Sequence, residues 1–151
     1  RKSKKSFFQT TDFIAPLVPL GLAFGRIGNY INSELWGKVT TSAWSVYSPD
    51  QSGMWAQRYP TQLFEAFLEG VVLFLILWLF SQKNRPLMAI SSLFLIFYGF
   101  FRFIIEFIRV PDSQIGYLAF EWLTMGQLLS FPMFVIGLYL FYKSYYSEKK
   151  L

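Results

Sequence analysis

Residues 61–80 read TQLFEAFLEGVVLFLILWLF, twenty positions whose only charges are two glutamates. Coiled as an α-helix, such a run is roughly 30 Å long, the thickness of a bilayer's hydrocarbon core. That match commits the chain to a membrane. Two further apolar runs, 87–109 and 123–142, repeat the pattern, and a weaker one at 13–32 is interrupted by Pro16, Pro19, Gly21 and Gly25. Its prolines lie near one end, where a helix start tolerates them. Of 151 residues 54% are hydrophobic and 21% aromatic, with mean hydropathy +0.36. They are gathered in long runs, as in membrane proteins. The expected fold class is an all-α integral membrane protein, one membrane domain over 1–151 with about four transmembrane helices.

Orientation follows from the basic residues. Arg1, Lys2, Lys4 and Lys5 precede the first run, Lys83 and Arg85 lie between the second and third, and Lys143, Lys149 and Lys150 follow the fourth. These are nine of the 14 Lys and Arg, and four spans put all nine on one side. Lys38, Arg58 and Arg109 fall on the other side, while Arg26 and Arg102 lie within spans. The positive-inside rule then places both ends in the cytoplasm. Residues 39–59 are polar and turn-rich and are expected as a small periplasmic element between the first and second helices. In 110–122, Tyr117, Phe120 and Trp122 are expected as interfacial anchors. The net charge of +5 fits anionic lipid better than nucleic acid, because the basic residues adjoin apolar runs. Cysteine and histidine are absent, which removes disulfides, thiol nucleophiles, imidazole bases and the usual zinc sites. No metal or cofactor is expected. The chain begins with Arg rather than Met and is read as a piece of something longer.

Two polar stripes interrupt this apolar background. In YGFFRFIIEFIR, Tyr98, Arg102 and Glu106 are four apart and Arg109 follows three later, so one helix would carry them on one face. Charges inside a span cost about 2.5–3.5 kcal/mol each on insertion scales and usually face the bundle interior. An Arg102–Glu106 pair by itself would ease insertion, but it leaves Arg109 and the first stripe unexplained. That first stripe is GRIGNYINSELWGK, residues 25–38. Arg26 and Asn29 share a helix face, and Gly25, Gly28 and Gly37 permit close approach. Arg26 alone could snorkel to headgroups. Two arginine-bearing stripes at similar depth suggest instead an intramembrane anion site, since paired guanidinium groups donate parallel hydrogen bonds to a phosphate. The anion at that depth is a phospholipid headgroup. Glu65 and Glu69, four apart at the start of the second span, either accept from the arginines or Asn29, or are ordinary rim carboxylates.

The stretches FFQTTDFIAPLVPLGLAFGRIGNYINSELWGK, RYPTQLFEAFLEGVVLF, YGFFRFIIEFIRVPDSQIG and MGQLLSFPM, in this order, resemble the prolipoprotein diacylglyceryl transferase family of the bacterial inner membrane. The resemblance covers nearly the whole chain and about the C-terminal half of the family's length. It implies transfer of a diacylglyceryl group from phosphatidylglycerol to the thiol of a lipobox cysteine in a preprolipoprotein, with glycerol phosphate leaving. It also implies that Arg26, Asn29, Glu34 and Gly37 belong to the signature at the active cavity, with Asn29, Glu34, Gly37 and Arg109 on the substrate-binding side. Tyr98, Arg102, Glu106 and Arg109 match the second essential motif, and Arg26 and Arg102 would hold the lipid phosphate. Family members carry a His-Gly-Gly motif and further spans upstream of the matched region, whereas this chain has no histidine.

Such a transfer needs charge stabilisation on the leaving phosphate, which preorganised arginines in a water-poor site supply. It also needs an ionised thiol, whose ordinary pKa of about 8.5 leaves it mostly protonated at neutrality. Tyr98, with an ordinary pKa of about 10, suits hydrogen-bond donation, and Glu106 suits orientation of Arg102. The base is expected outside this chain. The competing class is a non-catalytic phospholipid-binding subunit or a transporter, since intramembrane charges mark substrate pathways there too. Transporters often show repeated halves with broken helices, and no such symmetry is visible in this sequence.

Overall fold

A computed structural model describes residues 5–49, 53–111, 116–118 and 122–148. The orientation residues Arg1, Lys2, Lys4, Lys149 and Lys150, and the expected anchor Phe120, lie outside them. Ser6 starts helix α1 (Phe7–Ile14) through a reciprocal capping box with Gln9. Helix α2 (Val18–Ile31) follows, with proline in its first turn. Pro16 falls in the break between them, where a ring without an N–H cannot continue the hydrogen-bond ladder. The two helices bend by 50°. The run expected as one span over 13–32 is therefore a broken pair that begins earlier, at Phe7.

After α2 the chain reverses through Ser33 and Leu35, both at positive φ (57° and 60°), a conformation costly for side chains with a Cβ. Strands β1 (Val46–Pro49) and β2 (Trp55–Arg58) then pair antiparallel, Val46 opposite Arg58 and Pro49 opposite Trp55. This hairpin corrects the all-α expectation: the fold is mostly helical, with a two-stranded ribbon within 39–59.

The central helix runs unbroken from Thr61 to Ser81, 21 residues that include an 18-residue stretch of mean hydropathy 2.2. It consists of α3 (Thr61–Glu65), a π-helical segment (Ala66–Val72) and α4 (Leu73–Ser81). Helix α5 (Ala89–Ile105) has 17 residues, and α6 (Met125–Glu148) has 24. Among the described residues, two helices are long and apolar enough to cross a membrane, or three if the bent pair is one span. At 17 residues α5 is only about 26 Å long. It stops short of the expected 109 because Ile108 gives its carbonyl to the Lys38 N–H (2.9 Å) and Arg109 bridges to Gly37. Residues 106–109 thereby leave the helix, and the fourth apolar stretch forms a helix from Met125 rather than 123.

Small residues set the helix spacing. A Cβ added at Gly99 would lie 2.9 Å from the Ser130 carbonyl, and one at Gly137 would lie 2.9 Å from Ile96, so α5 and α6 meet nearly backbone to backbone. Gly70 lies against Ala23 in the same way, its added Cβ only 2.5 Å from the alanine Cβ. Leu73, Leu77 and Phe101 form the buried apolar centre between α4 and α5.

At the far end of α5, Asp12 of α1 accepts the N–H groups of Met88 and Ser91, both at 2.8 Å. The Ser91 hydroxyl also reaches Asp12 and donates to Thr11 (2.9 Å). A side chain 76 residues away thus caps the helix that carries Arg102. Asp12→Ala should lower stability by about 1–2 kcal/mol, the scale of a lost N-cap, seen as a lower unfolding midpoint in detergent. An unchanged midpoint would show the cap to be energetically idle.

Candidate functional site

Glu65 closes α3 with 1% of its surface exposed, and three arginines from separate segments converge on it. Arg102 Nη1 lies 2.5 Å from Glu65 Oε1, Arg109 Nη1 lies 3.0 Å from the same oxygen, and Arg26 Nε lies 2.8 Å from Oε2. Arg102 also reaches Glu106 through Nη2 at 3.2 Å. Glu69, fully buried, stands further off, 3.8 Å from Arg102 and 3.9 Å from Arg26. Among the described residues, three cations and three carboxylates thus form one continuous cluster.

Local structure explains the convergence. The Ala23–Gly70 contact presses α2 onto the π-helical segment. Arg26 follows Ala23 by three positions and so shares its face, while Glu69 immediately precedes Gly70. The π-helical winding begins just after Glu65, a kind of local distortion frequent at functional sites. Arg102 lies in the last turn of α5 and Glu106 caps that helix. Glu106 also abuts Gly126 in the first turn of α6, where any Cβ would lie 2.5 Å from its carboxyl carbon. A helix N-terminus favours negative charge there.

Arg109 is held by backbone pairing rather than by a helix. Gly37 N–H donates to the Tyr59 carbonyl (2.9 Å), and Lys38 donates to Ile108 through its backbone and to the Phe107 carbonyl through Nζ (2.9 Å each). Thr61 Oγ1 and Gln62 Nε2 donate to the carbonyls of Leu35 (2.9 Å) and Glu34 (2.5 Å), which fixes the strained turn.

Arg26, Arg102, Glu106 and Arg109 of the sequence reading thus meet in one cluster, although Glu106 and Arg109 lie past the end of α5 instead of on one continuous helix face. Gly37 is a packing residue: it is buried, and an added Cβ would lie 2.7–2.8 Å from Thr61, Ile108 and Tyr59. Glu34 is exposed, and only its backbone is engaged among the described residues, by Gln62 and by the Asn29 carbonyl. Asn29, half-buried, makes no side-chain hydrogen bond among the described residues, and Tyr98 stacks on Phe94 at 5.5 Å. Neither of the last two joins the ion pairs. Glu65 and Glu69, left open by the sequence, are central and fully buried.

Two arginines of the cluster keep donors to spare. Each guanidinium has five N–H donors, and Glu65 and Glu106 engage only part of the supply on Arg26 and Arg102. The side chains of Arg26 and Arg102 keep 18% and 15% of their surface exposed, so part of each remains reachable. Removing Glu65 would leave the arginines without their shared counter-charge.

A mostly helical chain with membrane-length apolar helices and a buried arginine–carboxylate cluster has the make-up of an integral membrane protein. More particularly, the chain belongs to the prolipoprotein diacylglyceryl transferase family, whose model matches residues 1–143. It is 57% identical over 97% of its length to a phosphatidylglycerol–prolipoprotein diacylglyceryl transferase of Pseudomonas fluorescens (strain Pf0-1). Proteins of the same name from Pseudomonas putida (strain W619) and Pseudomonas entomophila (strain L48) are 58% and 57% identical over 96% of it. The chain spans about half the length of these relatives, 54% of each.

Glu65→Ala should cost about 3–5 kcal/mol of stability, the scale for a broken buried ion pair, whereas exposed Glu34→Ala should stay within about 0.5 kcal/mol of the parent. Unfolding midpoints in detergent check both. Similar values for the two variants would contradict the central place of Glu65.

Proposed function

We propose that this chain supplies the phosphate-holding half of a phosphatidylglycerol–prolipoprotein diacylglyceryl transferase. The observation that carries the reading is the convergence of Arg26, Arg102 and Arg109 on one buried carboxylate at 2.5–3.0 Å. Three guanidinium groups focused on one point match the geometry of a phosphate rather than of a neutral headgroup. The names of the relatives give the lipid as phosphatidylglycerol and the acceptor as a prolipoprotein. The acceptor group is the lipobox cysteine thiol.

In this reading Arg26 and Arg102 hold the phosphodiester, Arg109 adds to the positive field, and Glu65 and Glu106 fix the guanidinium planes. The cysteine sulfur attacks the glycerol carbon that bears the phosphate ester. The C–O bond breaks, glycerol phosphate leaves with the electron pair, and a thioether forms as the thiol gives up its proton. Negative charge grows on the departing phosphate, where preorganised arginines in a water-poor setting stabilise it most. The same field favours the thiolate. Four membrane segments with both ends cytoplasmic, in the inner membrane of a bacterium, complete the reading. The hairpin and residues 33–39 would then face the periplasm, on the side where the acceptor peptide arrives.

Transfer of labelled diacylglycerol from phosphatidylglycerol to a lipobox peptide, with the protein in its full natural length, tests this. Arg102→Ala should lose about 10²-fold or more in rate, as for a removed charge-stabilising donor. Arg26→Lys should also be severely impaired, because a point charge cannot replace the planar fork. Transfer at the parental rate in both variants would remove the arginines from the essential site.

A further inference from the structure

Glu69 is the carboxylate of the cluster that stands furthest from its arginines. It is fully buried, and neither carboxylate oxygen accepts a hydrogen bond among the described residues. Its nearest arginine nitrogens are at 3.8 and 3.9 Å, while Glu65 and Glu106 hold theirs at 2.5–3.2 Å. Nor can its backbone withdraw, because the next residue, Gly70, is in close contact with Ala23. It also lies inside the seven-residue π-helical segment, an irregular winding that good helix formers such as Ala66 and Leu68 do not demand by themselves.

Charge counting then decides what a bound phosphodiester does. Among the described residues, Arg26, Arg102 and Arg109 balance Glu65, Glu69 and Glu106. An anionic lipid adds one negative charge and competes for the same guanidinium N–H groups. Uncompensated charge in a low-dielectric interior is removed most readily by taking up a proton. The groups facing Glu69 are Arg26 from α2, Arg102 and the Tyr98 phenol from α5, Arg109 beyond α5, and Glu65 on its own helix. Glu65 and Glu106 each hold an arginine nitrogen within 3.2 Å, which leaves Glu69 as the carboxylate of the cluster without a close cation. We infer that binding of the phospholipid phosphate is coupled to uptake of one proton, and that Glu69 carries it. Glu69 is thus a positioning residue that lets the arginines turn from internal carboxylates to the substrate. This rests on the arginine–phosphate reading and adds proton linkage to it.

Calorimetric titration of the full-length protein in detergent with short-chain phosphatidylglycerol, near neutral pH in two buffers of different ionisation enthalpy, measures the linked protons. The lipid phosphodiester does not titrate there, and the acceptor peptide with its thiol is left out. About one proton should be taken up per lipid bound, so affinity should fall as pH rises, by at most about tenfold per unit. Glu69→Gln, which mimics the neutral acid, should bind the lipid without proton uptake and with little dependence on pH. Infrared difference spectra of the parent protein provide a readout independent of the variant's folding: lipid should produce a new protonated-carboxyl band. Binding without proton uptake, undiminished uptake in Glu69→Gln, or no such band would overturn the inference and leave the arginine site standing. If the parent protein binds no phosphatidylglycerol, the arginine reading fails and the role of Glu69 fails with it.

Discussion

Everything in this structure turns on one buried carboxylate that three arginines share. Glu65 lies in a strongly apolar helix, where a lone charge would be severely penalised, and it brings Arg26, Arg102 and Arg109 within 2.5–3.0 Å of a single group. The arginines come from α2, from the last turn of α5, and from the segment beyond it. No two of them are positioned by the same local geometry. The ion cluster is therefore both the product of the packing and a reason for it, since buried charges of either sign are tolerated only in company.

The fold spends several irregular features on holding that cluster. A π-helical turn sits beside Glu65, glycine–alanine contact draws α2 against it, and two residues at positive φ bend the chain after α2. Backbone pairing of 37–38 with 108–109 ends α5 and aims Arg109. Asp12 anchors the opposite end of α5. Strain of this kind persists only where the surroundings over-determine it, and it concentrates at functional sites. In the proposed function these features gather the arginines in advance where a phosphate would be held, which is what electrostatic catalysis requires.

The membrane class and the arginine pair were legible in the sequence because both rest on local signals. Long apolar runs announce themselves, and an arginine within one is conspicuous. Glu65 and Glu69 were not resolved, since an i, i+4 pair at a span's start looks the same whether it lines a rim or a core. Only contacts with α2 and α5 distinguish the two, and they are non-local. The stop of α5 at Ile105 was hidden for the same reason: the helical pattern of Tyr98, Arg102, Glu106 and Arg109 continues past it, and pairing with a segment about 70 residues earlier overrides the periodicity. Gly37 was legible as a site of close approach, but not as one filled by protein rather than ligand. The hairpin strands are four residues each, too short to show alternation against a turn-rich background.

The most direct measurement of the central claim is the proximity of the guanidinium nitrogens to the lipid phosphorus. With the arginines nitrogen-15 labelled and phosphatidylglycerol bound in a bilayer, phosphorus dephasing in solid-state NMR reads that distance residue by residue, using Arg26→Lys and Arg102→Lys for assignment. The account predicts strong dephasing of the Arg26 and Arg102 side-chain nitrogens and its loss in the matching variant. Bound lipid whose phosphorus dephases neither arginine would contradict it.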